Sequence, residues 1–303
     1  DLEGFAQVLM AKKKFEEYTK NFEADFSYAH ADGVRFRGNG FFQSGSMSVA
    51  LRLIPNQIRT IEELGLPPIL ESFVQRPQGF FLCVGPVGQG KSTTLAAMVE
   101  YINQNRAEHI VTIEDPVEYI YDAKKSLIDQ REIGVDSVSF ERALNSAFRQ
   151  DVDVILVGEM RNSETIATAV TAAETGHLVL STLHTNNAAQ TIDRIIDAFP
   201  SGQQDQIRVQ LAGSLAGIFS QRLIPRISGG LIPAYELLIN NSAVSNLIRE
   251  GRSHEIQTLI ETGLELGMID MNRSLAELVK RGEITVENAF AYSINPKGLE
   301  RLM

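Results

Sequence analysis

The stretch that most narrows what this chain can fold into is Phe80–Thr94, FFLCVGPVGQGKSTT. Gly85, four residues and then Gly90-Lys91-Ser92 fit the phosphate-binding pattern G-x-x-x-x-G-K-[ST]. Its flanks make the match specific. Phe80–Val84 is a short continuous apolar run, as a buried parallel strand should be. Ser92–Gln104 places Leu95, Met98, Val99 and Ile102 at helical spacing. Strand, glycine loop and helix in that order turn backbone N–H groups inward, where they and the helix N-terminus meet a polyphosphate. The loop expected to hold it is Gly85, Pro86, Val87, Gly88, Gln89, Gly90, Lys91, Ser92 and Thr93. Lys91 would reach the β- and γ-phosphates, and the Ser92 hydroxyl would ligate Mg2+. The stretch predicts binding of a nucleoside triphosphate.

The pattern on either side predicts an α/β chain in two parts. Glu3–Lys20 reads as an amphipathic helix, with Phe5, Val8, Leu9, Phe15 and Tyr18 apolar. The period then changes: Asp25–His30, Val34–Phe42 and Met47–Ile54 read as strands, with turns at Ala31-Asp32-Gly33 and Ser44-Gly45-Ser46. A helix followed by hairpins predicts a small α+β unit over residues 1–55. Pro55 and Gly65-Leu66-Pro67-Pro68 mark a linker over 56–67. Beyond a short helix at Ile69–Gln75, strands at Phe80–Val84, His109–Glu114, Leu127–Arg131, Asp153–Val157 and His177–Thr182 alternate with helices. That alternation predicts a parallel sheet covered on both faces, over 68–240. The intervening helices include Phe140–Arg149 and Ser163–Thr175, the latter capped by Ser163 and Gly176. Ala188–Ala198 and Ser201–Leu223 read as further helices and Leu231–Ile239 as a strand. Residues 241–303 read as short helices at Ser242–Glu250, Ser253–Leu266, Asp270–Arg281 and Thr285–Tyr292.

Composition removes several function classes. The formal net charge is −10, from 38 acids against 28 bases, a balance that disfavours nucleic acid as a partner. Lys12-Lys13-Lys14 is the only run of three basic residues, and it reads as a solvated helix face. No apolar run approaches the roughly 18 residues that a membrane span needs. The single cysteine, Cys83, sits mid-strand and reads as a small core residue in a reducing, cytoplasmic setting. The chain opens on Asp1 rather than Met, so it is expected to lack its true N-terminus.

Chemistry on a phosphate needs groups beside the loop, and in an open α/β sheet these stand at the carboxyl ends of the strands. Asp153–Glu159, DVILVGE, is an apolar strand ending in an acid, the form of a second nucleotide-site motif. Glu159 is the expected general base for an attacking water. Val111–Glu118 ends another strand with three acids, of which Glu114 is best placed to hold the metal or a water, although a proline turn also attracts acids for local reasons. Gly176–Thr185, GHLVLSTLHT, puts His177 at the start of a strand and His184 beyond its end, where His184 would sense a γ-phosphate, while His177 reads equally as a further catalytic residue or a structural histidine. Lacking a cysteine or third histidine, the pair does not suggest a metal site.

TIEDPVEY, DVILVGEMR and GHLVLSTLHT, in that order after GPVGQGKSTT, closely resemble the motor ATPases of type IV pili and type II secretion. Within these the likeness is greatest to the PilT-like retraction ATPases, through Lys124–Gly134, Ala243–Glu250 and the tail from His254. Where those proteins read AIRNLIRE, this chain has Val244 and Ser245 in place of Ile and Arg. Assembly ATPases lack the tail and usually carry a four-cysteine zinc site, which one cysteine cannot build.

The resemblance implies a PAS-like N-terminal domain, a RecA-like ATPase core and a homohexameric ring that uses ATP and Mg2+. It implies that arginines of the N-terminal domain reach the nucleotide of a neighbouring subunit. Arg37, in RFRGN, and Arg52, in LRLIP, occupy the matching positions and are expected to act catalytically in trans. A third arginine of the family pattern is absent, since Ser44 follows Gln43. The implied partners are a platform protein of the inner membrane, the pilin fibre indirectly and a paralogous retraction ATPase, with the chain peripheral at the inner face of the cytoplasmic membrane. Pilus assembly or secretion ATPase, a RecA-like DNA motor and a hydrolysis-poor accessory subunit are the alternatives. The helix over Ala243–Glu250 reads equally as retraction machinery or as packing through Leu247 and Ile248.

Overall fold

The computed structural model describes residues 2–31, 33–54 and 57–303. Pro55 and Asn56, at the start of the expected linker, and Asp32 of the first turn lie outside the described residues. The chain divides into two compact units, Asp1–Ile58 with Pro116–Ile120, and Arg59–Asp115 with Tyr121–Met303.

In the smaller unit, helices α1 (Leu2–Leu9) and α2 (Lys12–Asn21) precede strands β1 (Glu23–Ala29), β2 (Arg35–Gln43) and β3 (Ser46–Ile54). The single helix expected over Glu3–Lys20 is broken at Ala11, whose backbone is extended (φ −58°, ψ 147°). The strands form an antiparallel meander in the order β1-β2-β3. Its hairpin turns at Ser44 (φ 49°) and Gly45 (φ 74°), two successive left-handed residues as a two-residue turn between twisted strands requires. Alternation then sorts the side chains. Ala24 and Phe26 of β1, with Phe42, Met47 and Val49, join Ala6, Leu9, Met10 and Tyr18 of the helices in one cluster. The Phe26 ring lies over Gly38, where a Cβ would stand 2.2 Å from the ring.

The larger unit opens with α3 (Leu70–Val74) and β4 (Gly79–Val84), followed by α4 (Lys91–Asn105), β5 (His109–Glu114), β6 (Leu127–Glu132), α5 (Phe140–Ala147), β7 (Val154–Val157), α6 (Ser163–Glu174), β8 (Leu178–Leu183), α7 (Ala188–Asp197) and α8 (Ser201–Ser214). Then come β9 (Leu215–Pro225), β10 (Leu231–Ile239) and helices α9 (Ser242–Arg249), α10 (Ile256–Thr262), α11 (Met271–Lys280), α12 (Val286–Tyr292) and α13 (Pro296–Glu300). The sheet order is β10-β9-β4-β8-β7-β5-β6. All pairs are parallel except β9–β10. Every residue of β4, β7 and β8 is buried, which is why these strands are apolar on both faces. Phe80, Leu82 and Val84 point into a cluster with α5, α6, α7 and α8, while Phe81 meets Phe73 of α3 on the other face, ring centroids 4.8 Å apart. Cys83 is fully buried in this strand and its thiol is pushed up to about 12 by that burial, with Lys91 acting the other way.

The largest departure from expectation is β9. The helix read over Ser201–Leu223 stops at Ser214, and the chain runs on as a strand beside β4. Leu215–Arg222 is buried throughout, so no alternation marks it as a strand. Gly217 permits the close fit: a Cβ there would stand 2.7 Å from the Phe73 ring and 2.8 Å from the Leu238 carbonyl. At α6 the N-cap is Asn162 rather than Ser163, its side chain accepting the Thr165 N–H at 2.9 Å. The region read as Ser253–Leu266 is α10 with a short 3-10 turn on each side. In α9, Val244 and Ile248 are fully buried while Leu247 is only partly so. Ser245, also buried, donates to the Ala212 carbonyl at 2.9 Å. The helices from α11 onward pack Leu275, Leu278, Ala289 and Leu299 against Ile224, Ile232 and Ala234 of β9 and β10. Among the described residues no helix is long and apolar enough to cross a membrane.

Candidate nucleotide-binding site

Six parallel strands place their carboxyl ends along one edge, and the glycine loop lies there between β4 and α4. Gly85 (φ 147°), Gly88 (φ 78°) and Gly90 (φ 79°) take backbone conformations closed to most side chains. Two of them are also short of room: a Cβ on Gly85 would stand 2.5 Å from the Gln221 carbonyl, and one on Gly90 2.9 Å from Gln221 Nε2. No side chain caps α4, so the positive end of its dipole opens onto the loop. Lys91 is buried, and its ammonium donates to the Gly85 carbonyl at 2.9 Å and the Pro86 carbonyl at 2.8 Å. It lies 3.3 Å from His184 Nδ1. Since an ammonium can only donate, Nδ1 accepts, and the imidazole proton is assigned to Nε2. Burial lowers the His184 pKa and Lys91 lowers it further, against Glu159, so the ring is neutral around pH 7.

Two glutamines shape the loop: Gln89, already expected within it, and Gln221, which the sequence reading missed. Gln221 of β9 accepts the Thr94 hydroxyl at 2.7 Å and donates to the Gln89 carbonyl at 2.8 Å. Gln89 in turn accepts the Leu223 N–H at 2.7 Å. Thus β9 grips both the loop and the first turn of α4. Gln221 was hidden because its segment read as helix.

Glu159 follows β7. Its carboxylate is 2.5 Å from the Arg161 guanidinium, which is held more firmly protonated by that bond. The turn carrying Glu159 is fixed from β8, where Ser181 donates to the Val157 carbonyl at 2.8 Å and Thr182 to the Gly158 carbonyl at 2.7 Å. Glu114 ends β5 beside this turn, buried, with its Cγ 3.5 Å from where a Cβ on Gly158 would be. The loop, Glu159, Glu114 and His184 therefore share one edge. His177 does not: it precedes β8 at the opposite edge, about 23 Å along the strand from His184 at 3.3 Å per residue. There its Nδ1 lies 3.0 Å from the Ala172 carbonyl, and its ring stands edge-on to Phe148, centroids 5.5 Å apart. Its side chain thus completes the C-terminal end of α6 rather than the nucleotide edge.

In the smaller unit, Arg37 and Arg52 are cross-strand partners in the β2–β3 register and share the sheet face opposite the helices. Like charges directly opposite each other cost stability, so their pairing works against this sheet rather than for it. Among the described residues no group of three or more His, Cys, Asp or Glu could hold a metal.

Phosphate loop, the acid-ended strand β7 one strand removed from β4, and a mostly parallel sheet define a P-loop ATPase with a RecA-like core. Residues 26–277 match the family described as type II/IV secretion system protein. The chain is 48% identical over 273 residues to a twitching motility protein of Neisseria gonorrhoeae, covering 90% of this chain and 73% of that one. It is 46% identical over 278 residues to the type IV pilus retraction ATPase PilT of Pseudomonas aeruginosa, covering 92% and 80%. The crystal structure of the pilus retraction motor PilT with bound ADP superposes with a TM-score of 0.93 at 48% identity, covering 99% of this chain and 85% of that one. The chain belongs to the type II/IV secretion system protein family.

Proposed function

We propose that this protein is an ATP-hydrolysing motor of type IV pilus retraction, acting as a ring of six copies. One observation carries the reading: Lys91 seated in its loop, His184 against it and Glu159 all meet at the carboxyl edge of the sheet. The similarity to the retraction ATPase of Pseudomonas aeruginosa and to a twitching motility protein of Neisseria gonorrhoeae supports the direction of work.

In this reading the loop N–H groups and Lys91 bind the β- and γ-phosphates. Glu159 orients and deprotonates the attacking water. For that its carboxylate must exchange Arg161 for water, and the exposure of Arg161 makes the exchange cheap. His184, neutral, exchanges its bond to the Gly85 backbone for one donated to the γ-phosphate. The hard oxygen donors Ser92, Glu159 and Glu114 fit Mg2+, which would be shared with the phosphates. Bound there, it would neutralise charge on the β- and γ-oxygens. Arg37 and Arg52 of a neighbouring copy would stabilise charge on the transferring phosphoryl group. Hydrolysis removes the group that His184 and the arginines contact, so those contacts open, and successive opening around the ring turns a platform protein and releases pilins at the fibre base.

The test is a Glu159→Ala allele in the native cell. Excess surface pili without twitching is the expected result. Bald cells would make the chain an assembly motor, and unchanged pili with normal motility would refute the reading.

A further inference from the structure

The segment joining β8 to α7 carries His184 and is held from behind by hairpin β9–β10. Ser220 donates its hydroxyl to the Asn186 carbonyl at 2.9 Å. Arg222 donates to the same carbonyl at 3.3 Å and to the Asn186 side-chain oxygen at 2.9 Å. Glu236 accepts the Ala188 N–H at the first turn of α7 at 2.9 Å. Both charged residues are buried, Glu236 at 1% exposure and Arg222 at 8%. The register sets Ser220 opposite Glu236 and Arg222 opposite Ala234, so the two charges are diagonal neighbours on one face. Burying such a pair stabilises a fold poorly compared with apolar residues, and here it lies among buried apolar neighbours, Ala234 and Leu238. What the pair does accomplish is to fix the backbone two to four residues beyond His184. Arg222 also backs the phosphate loop, its Nη1 3.4 Å from where a Cβ on Gly85 would stand.

On the reading of His184 as the γ-phosphate contact, we propose that Arg222 and Glu236 are positioning residues that hold the His184 segment against the phosphate loop and so set the preference for triphosphate over diphosphate. The groups facing Glu236 are the Ala188 N–H of α7, Gln257 of α10, Asp270 ahead of α11 and Arg222 of β9. Burial dominates among them and pushes the Glu236 carboxyl up to about 7. A proton taken up there removes the charge opposite Arg222 and the N-terminus of α7, which loosens the brace.

The measurement is the ratio of dissociation constants for ADP and a non-hydrolysable ATP analogue on the purified full chain. It is made for the wild type, His184→Ala, Glu236→Gln and Asn186→Ala, the last an exposed position chosen to spare the fold. His184→Ala should cut the preference for the analogue about tenfold, as expected for a lost hydrogen bond to a charged group. Glu236→Gln and Asn186→Ala should each cut it about threefold, on the scale of a neutral hydrogen bond, with ADP affinity unchanged. Between pH 8 and 6.5 the wild-type preference should fall while that of Glu236→Gln stays flat. A normal preference in both brace variants beside a reduced one in His184→Ala overturns the positioning role and leaves the reading of His184 standing. No effect of His184→Ala overturns both. An equal loss of ADP and analogue affinity in the brace variants shows a structural role only and refutes the proposal.

Discussion

The two edges of the large sheet use the same residue types for different ends. At the amino edge, His109 bonds Asp129 at 2.9 Å and the Gln150 carbonyl at 2.9 Å, and His177 bonds the Ala172 carbonyl. Asp153 accepts the His109 N–H at 2.8 Å. These polar groups settle one another locally. At the carboxyl edge, Lys91, His184 and Glu159 are held by each other, by backbone carbonyls and by Arg161, in arrangements that a phosphate could replace. The difference follows from parallel pairing. Strands that all run one way send their following loops and helix N-termini to one side, so anion-seeking groups gather there and the other edge only closes the fold.

Glu159→Gln tests that division most severely. It keeps the shape of the turn and removes the base, so hydrolysis should fall by roughly 10²–10⁴ while ATP still binds, as turnover and equilibrium binding on the same sample will tell. A loss below tenfold would move the base elsewhere on the carboxyl edge.

Next in size is Gln221→Ala. It strands the Thr94 hydroxyl and strips the Gln89 carbonyl of its donor, each such group costing about 1–3 kcal/mol. ATP affinity should drop by roughly tenfold from a loop left loose, with kcat at saturation changed less than KM. An unaltered KM would mean that the glycines alone shape the loop.

His177→Ala carries the comparison to the other edge. Losing one half-exposed hydrogen bond and a ring contact should cost about 1 kcal/mol, a few degrees in Tm, with turnover of the isolated protein within about twofold of wild type. A tenfold loss of turnover at unchanged Tm would bring His177 into the chemistry after all, through a neighbouring copy.

The sequence conveyed this division unevenly. The phosphate loop was legible because glycine, lysine and serine are fixed there by backbone conformation and charge, which leave their mark on residue type. Glu159 and Glu114 were legible as acids ending apolar strands. Strand β9 was not, because a strand buried on both faces loses the alternation that distinguishes it from a buried helix. With β9 went Gln221 and Arg222, whose roles depend on which strand lies beside β4. Residue identity also could not separate His177 from His184: that distinction is one of strand direction. Ser163 was read as the cap of α6 although Asn162, one residue earlier, is the acceptor, a shift within the usual uncertainty of a helix boundary.

The smallest effect has opposite signs at the two edges. At His109 burial lowers the pKa, but the bonds to Asp129 and to the Asp151 and Gln150 carbonyls outweigh it, and the net shift is upward. At His184 burial and Lys91 together push it down. In a titration of ring proton shifts, His109 should therefore charge at a higher pH than the ordinary 6.5 and His184 at a lower one. The consequences for stability follow from which state holds the proton more tightly. His109 binds it more tightly when folded, so its contribution is fully present below pH 6.5 and is lost as pH rises through the raised value. His184 binds it less tightly when folded, so its contribution is present above pH 6.5 and is lost as pH falls below that. His109→Gln should accordingly lose more stability at pH 5.5 than at pH 8.5 relative to wild type, and His184→Gln the reverse, by denaturant midpoints at the two pH values. Parallel responses would mean that burial and the Lys91 ammonium do not hold His184 in this way in solution, and the contrast between the edges would then rest on Glu159 alone.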